Sequence, residues 1–221
     1  KFVELVHDLN LLASLGIQLV LVHGARPQIE SRLQRDNLDI TYVNGIRATD
    51  AVTLERVIES VGRVRMEIEA LMSMGLPNSP MANASIRVTS GNFVIARPIG
   101  VMNGTDLMYT GEVRKINLTA IHSHLTQGEI VLISPLGYSP TGEIFNLTLE
   151  NVAAEVAITL KAEKLIFLMN TPGIMDQSTK QPDNLLRELT VAESKSYLTQ
   201  LADLPTHIPD DTQFYLPQAI H

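Results

Sequence analysis

Three short apolar runs, at residues 17–22, 130–133 and 165–169, are separated by stretches whose apolar residues recur at helical spacing. Runs that are apolar throughout suit strands buried on both faces, and such strands pair in parallel with helices as their crossovers. The chain is therefore expected to be α/β, a three-layer α/β/α sandwich with a mainly parallel central sheet. Ligands should lie beyond the C-terminal ends of the strands, so loops 23–28, 134–137 and 170–173 should share one rim.

Phe2, Leu5, Val6, Leu9 and Leu12 predict a first helix that ends at Gly16, and a second helix runs from Pro27 to about Arg35. Asp50 is the expected cap of a long helix through Val57, Val61, Val64 and Ile68, with Met66, Met72 and Met74 as core filler. Residues 86–89 and 93–96 read as strands, and 105–116 as a hairpin around Gly111. Asn117 caps a helix to about Gln127, a polar hairpin spans 137–145, and 148–161 is helical. Thr190 and Glu193 form a capping box that opens a further helix.

With 221 residues, 45% of them apolar, the chain can bury a sizeable core. Its 17 basic and 24 acidic residues give a net charge of −7, which argues against nucleic acid or an anionic membrane as the main partner. Cysteine is absent, which leaves no disulfide and no thiolate zinc site, and a reducing cytoplasm is the expected compartment. No apolar stretch approaches the roughly 20 residues of a membrane span, and no signal peptide opens the chain. No repeat or linker marks a second domain, so residues 1–221 read as one domain. An uncapped first helix, the lack of an initiator methionine and an apolar stretch at 214–221 read as truncation at both ends.

The first strand run stops at His23-Gly-Ala25, and Pro27 presets a helical turn just behind it. Gly24 lets backbone approach a ligand, and the N–H groups of the helix favour an anion in front of them. An ordinary strand-to-helix turn has the same spelling. In Asn44-Gly-Ile-Arg-Ala-Thr-Asp50, Arg47 is either a two-bond carboxylate clamp or a surface arginine paired with an acid. Asn146 is a turn residue or an amide contact to a ligand, and Glu150 orients a catalytic group or answers the helix dipole.

The six histidines lack ligand spacing, so no protein-ligated metal is expected. No dinucleotide fingerprint, P-loop or nucleophile elbow is present. Ser90 and Ser134 stand as lone turn serines with no base to pair with.

In order, His23-Gly-Ala-Arg-Pro-Gln28, Asn44-Gly-Ile-Arg-Ala-Thr-Asp50, Thr110-Gly-Glu-Val113, Gly142-Glu-Ile-Phe-Asn-Leu-Thr-Leu-Glu150 and Asn170-Thr-Pro-Gly-Ile174 resemble the amino-acid kinase (carbamate kinase-like) family over nearly the whole chain. The resemblance is greatest to the kinase-like domain of bacterial N-acetylglutamate synthases. Gly-Ala-Arg-Pro-Gln stands where acetylglutamate kinases usually have Gly-Gly-Gly, and Ser90-Gly-Asn-Phe-Val-Ile-Ala-Arg-Pro-Ile-Gly100 and Phe145-Asn-Leu-Thr148 also resemble the synthases.

This resemblance implies an acetylglutamate-like cleft at His23, Gly24, Ala25, Arg26, Arg47 and Asn146, with Arg47 on a carboxylate. It implies that Glu150 is a vestige of the kinase aspartate and that Asn170, Thr171, Pro172 and Gly173 are the equivalent of the nucleotide loop. The implied parent transfers acetyl from acetyl-CoA to L-glutamate through a C-terminal acetyltransferase domain, with this region binding L-arginine as feedback inhibitor and building homo-oligomers. No cofactor is then expected on this region, and by itself it should be inactive. The alternative is a working acetylglutamate kinase that uses Mg-ATP.

Overall fold

The computed structural model describes residues 2–74, 86–169, 173–174 and 185–202. The chain divides into two compact units, Lys1–Leu160 and Lys161–His221.

In the first unit, the strands β1 (Val20–Val22), β4 (Val88–Ser90) and β9 (Ile130–Ile133) form a wholly parallel sheet in the order β1-β9-β4. Val20 aligns with Val131, and Val88 with Ile130. All four residues of β9 are buried. Ile130 and Leu132 pack with Val6 of α1 (Phe2–Ser14) and with Ile68 and Met72 of α3 (Ala51–Met72). Val131 and Ile133 pack on the opposite face with Ile121 and Leu125 of α4 (Leu118–Thr126) and with Val152 and Val156 of α5 (Leu149–Leu160). Alternation of side chains along one strand thus feeds two cores, giving the α/β/α layering. A third cluster joins Ile29 and Leu33 of α2 (Arg26–Arg35) to Val57 and Val61 of α3.

A second, mixed sheet has the order β11-β10-β5-β8. It contains β5 (Val94–Pro98), β8 (Gly111–Ile116), β10 (Leu136–Tyr138) and β11 (Ile144–Asn146). The β10–β11 hairpin spans 136–146, one residue beyond the expected 137–145 at each end, and β5 runs parallel to β10 but antiparallel to β8. The expectation of a mainly parallel sheet therefore holds for β1-β9-β4, while this second sheet is chiefly antiparallel. Two small hairpins complete the strands: β2 (Tyr42–Val43) with β3 (Ile46–Arg47), and β6 (Val101–Met102) with β7 (Thr105–Asp106).

The predicted caps form. Asp50 accepts the Thr53 N–H at 2.7 Å, and Asn117 accepts that of Ala120 at 3.2 Å. The hairpin expected around Gly111 does not form. Asn103 and Gly104, both at positive φ, make the turn between β6 and β7, whereas Gly111 opens β8 opposite Pro98. A Cβ on Gly111 would lie 2.7 Å from Phe145 Cβ and 2.8 Å from the Arg97 carbonyl oxygen, so the glycine serves close packing and not a turn. Met72 is core, but Met66 and Met74 are exposed.

In the second unit, α6 (Val191–Ala202) is opened by the capping box. The Thr190 N–H donates to the Glu193 carboxylate at 2.7 Å, and the Glu193 N–H donates to the Thr190 hydroxyl at 3.2 Å. Residues 165–169, expected as a buried strand, pair with no strand among the described residues, and Ile166 is 71% exposed. Apolar composition expresses a preference for burial; the ladder partner has to come from another segment.

Candidate ligand-binding cleft

The C-terminal end of β1 delivers His23 to the rim of the parallel sheet. Its N–H donates to the Ile133 carbonyl at 3.1 Å, and its Nε2 lies 2.8 Å from the Ser134 hydroxyl. Ser134, read from sequence as a lone serine, therefore has an imidazole as hydrogen-bond partner. Burial lowers the His23 pKa, and the Arg65 charge adds to this, against the Gly24 carbonyl and Glu69. The imidazole is held neutral, as an oriented dipole in a buried place. The carboxylate of Glu69 accepts from the Ser90 hydroxyl at 2.6 Å, so polar groups follow all three parallel strands at this end. Loops 23–28 and 134–137 share the rim, as expected, while 170–172 lie outside the described residues.

Gly24 faces the first turn of α5: a Cβ there would lie 3.1 Å from Leu149 Cδ2. Glu150, half-buried, is the next residue of that turn. Ala25 is buried and precedes α2 without a side-chain cap, with Pro27 in the first turn. The amides of that turn are thus not satisfied by an Ala25 side chain.

Arg47 arrives on β3 through a two-residue Asn44-Gly45 turn, both residues at positive φ, which sets it directly opposite Tyr42. It is only 8% exposed, so the picture of a surface arginine does not hold. Its Nη2 donates to the Tyr42 hydroxyl at 3.0 Å and reaches Glu30 Oε1 at 3.4 Å. The Tyr42 hydroxyl donates to the same oxygen at 2.6 Å, as does Arg26 Nε at 2.9 Å. The guanidiniums of Arg26 and Arg47 lie 5.2 and 5.6 Å from the Tyr42 ring centre, within cation–π range. Although burial opposes ionisation, the Tyr42 hydroxyl and the two arginines hold the Glu30 carboxyl below its ordinary range.

Asn146 ends β11. Its amide donates to the Thr49 hydroxyl at 3.0 Å, and the Thr110 hydroxyl donates to the Arg47 carbonyl at 2.5 Å while lying 2.9 Å from that of Thr49. All three side chains are buried. This network fixes the backbone that carries Arg47, since each buried polar group has a partner that would be costly to lose.

His23 is bonded to Ser134, Gly24 adjoins Leu149 at the start of α5, Arg26 and Arg47 meet at Glu30 and Tyr42, and Asn146 is linked to the Arg47 carbonyl through Thr49 and Thr110. Glu30, Tyr42, Thr49 and Thr110 bond to these residues, and no motif in the sequence marks Glu30 or Tyr42. Tyr42 was within reach, because an Asn-Gly hairpin turn pairs the residues two before and two after it. Gly173 lies in the second unit at φ +145°, where a Cβ would meet Leu185 Cδ1 at 2.8 Å. Among the described residues, no group of three or more acidic or histidine side chains is placed to hold a metal ion, and no helix is long and apolar enough to cross a membrane.

The chain is 52% identical over 201 residues to the amino-acid acetyltransferase of Pseudomonas fluorescens (strain SBW25), covering 91% of this chain and 46% of that protein. It is 46% identical over 216 residues to the amino-acid acetyltransferase of Ralstonia nicotianae, covering 98% and 46%. It spans about half the length of these relatives. Its fold matches crystal structures of N-acetylglutamate synthase from Neisseria gonorrhoeae. The complex with coenzyme A and N-acetyl-glutamate gives a TM-score of 0.82 at 35% identity, covering 99% of this chain and 47% of that one. The complex with coenzyme A and L-arginine gives 0.83 at 36% identity, covering 99% and 49%. The model of the amino acid kinase family matches residues 2–206, the span that holds both the parallel sheet and the candidate site residues, and the chain belongs to that family.

Proposed function

We propose that this chain is the kinase-like regulatory and assembly region of an N-acetylglutamate synthase. The parent transfers the acetyl group of acetyl-CoA to the amine of L-glutamate in arginine biosynthesis, breaking the thioester and releasing coenzyme A, and L-arginine inhibits it. The observation that carries this is the 52% identity across 91% of the chain to an amino-acid acetyltransferase of which the chain spans 46%. The remainder of such a parent has room for the acetyltransferase domain, and the parent is a cytoplasmic homo-oligomer in this reading.

The cleft supports a role other than phosphoryl transfer. Phosphoryl transfer relies on cations aimed at the moving group. Here Ala25 and Arg26 stand where acetylglutamate kinases carry glycines, and Arg26 is turned onto Glu30 and Tyr42. In this reading His23, Gly24, Ala25, Arg26, Arg47 and Asn146 form a vestigial acetylglutamate-like cleft, Glu150 occupies the old catalytic position, and residues 170–173 the old nucleotide loop.

The test is thiol release by the intact protein supplied with acetyl-CoA and L-glutamate, repeated with L-arginine. Glutamate-dependent coenzyme A release that L-arginine suppresses is expected. Absence of release, with ADP formed instead from ATP and N-acetyl-L-glutamate, would establish the kinase alternative. Calorimetry with L-arginine on the same protein should give a saturable heat; a flat titration overturns the regulatory part.

A further inference from the structure

Three donors converge on one oxygen of Glu30: Arg26 Nε at 2.9 Å, the Tyr42 hydroxyl at 2.6 Å and Arg47 Nη2 at 3.4 Å. Two guanidiniums and a phenol directed at a single carboxylate oxygen are the makings of a carboxylate-recognition site. The carboxylate now in it comes from the protein's own helix α2.

The fit of that carboxylate to Arg47 is incomplete. A guanidinium binds a carboxylate best along the edge formed by Nε and one terminal nitrogen, through two parallel bonds. On Arg47 the terminal nitrogen of that edge reaches Glu30 only at 3.4 Å, and Nε is buried without a hydrogen-bond partner. A buried guanidinium N–H left unpaired is costly, so this edge favours any carboxylate that reaches both nitrogens. Arg47 itself is held from behind by the Thr110 and Asn146 network, whereas Glu30 is one-third exposed and sits on a flexible side chain. Of the two partners, Glu30 is the one free to move.

We propose that Glu30 is an internal carboxylate that occupies the Arg47 site and must swing out before a small external carboxylate binds there. The external ligand takes the Nε and Nη2 edge of Arg47, while the Tyr42 hydroxyl redirects its hydrogen bond from Glu30 to the newcomer or to water. A resident competitor lowers the apparent affinity by the fraction of time the site is open, so Glu30 sets how strongly this cleft responds to its ligand. The inference rests on the proposal that Arg47 contacts a ligand carboxylate.

The test uses the intact protein, with N-acetyl-L-glutamate as the probe, titrated calorimetrically into wild type, Glu30→Gln, Arg47→Ala and the double variant; the same compound is the product at the acetyltransferase site of the proposed parent, so the heat lost in Arg47→Ala is what reports the Arg47 site. Glutamine keeps the size of Glu30 and an acceptor for Arg26 and Tyr42, but removes the charge that competes for Arg47. Thermal melting confirms that each variant is folded. Glu30→Gln should tighten binding by about tenfold, the scale of one charge-assisted contact removed from competition, and adding Arg47→Ala should abolish that gain. If Arg47→Ala weakens binding while Glu30→Gln matches wild type, Glu30 is not a gate, although the cleft does hold the ligand. If neither substitution changes binding, both the gate and the cleft proposal fall. A gain that persists in the double variant arises elsewhere and overturns the gate.

Discussion

Nε2 of His23 and the hydroxyl of Ser134 lie 2.8 Å apart, tying the C-terminal end of β1 to that of β9 beside their backbone bond. Because burial depresses the His23 pKa, the unfolded chain takes up a proton near the ordinary value of 6.5 while the folded chain resists it until lower pH. Between those values the unfolded state binds more protons, so stability is full above about 6.5 and falls as the pH drops below it. Urea unfolding at a series of pH values should show this slope, and His23→Gln should flatten it. Glu30, Asp50 and Glu129, whose pKa values are also lowered, act in a separate window below their ordinary values of 4.5, 3.8 and 4.5. An unchanged slope near neutrality in His23→Gln would show that the imidazole is not its source.

Leu132 is a core residue of a strand packed on both faces. Leu132→Ala removes apolar volume between α1, α3 and the sheet, where helices on both sides limit collapse. Denaturant titration should show a loss of about 2–5 kcal/mol.

Gly111 has no room for a side chain. A methyl group there would press on Phe145 and on the Arg97 carbonyl, both in strands of the same sheet. Gly111→Ala should cost about 1–3 kcal/mol by overpacking, read as a lower denaturation midpoint with an unchanged m-value.

Thr110 supports Arg47 from behind through its bond to the Arg47 carbonyl. Thr110→Val keeps the shape and removes the hydroxyl, leaving that carbonyl only the longer 3.4 Å bond from the Thr49 hydroxyl, at a cost of about 1–3 kcal/mol. If the network positions Arg47 for a ligand, the same substitution should also weaken N-acetyl-L-glutamate binding in calorimetry. A stability loss with unaltered binding would make Thr110 purely structural.

Much of this architecture is written locally. The apolar run at 130–133 specifies the doubly buried β9, Asp50 and Asn117 specify helix starts, and Thr190 with Glu193 specifies another, because each depends on residues a few positions apart. The motif residues His23, Arg47 and Asn146 could be singled out one by one.

What the sequence by itself left open needed distant partners. Gly111 looks like a turn until Phe145 and Arg97 are beside it, and 165–169 looks like a buried strand but pairs with no strand among the described residues. The convergence of Arg26, Tyr42 and Arg47 on Glu30 was decided only by tertiary structure, as were the bond from His23 to Ser134 and the buried link from Asn146 to Thr49. Periodicity and capping are short-range and follow from the chain's own geometry. A hydrogen bond between residues 97 or 111 positions apart exists only because layers of the sandwich bring strand ends together, and no local pattern encodes that meeting.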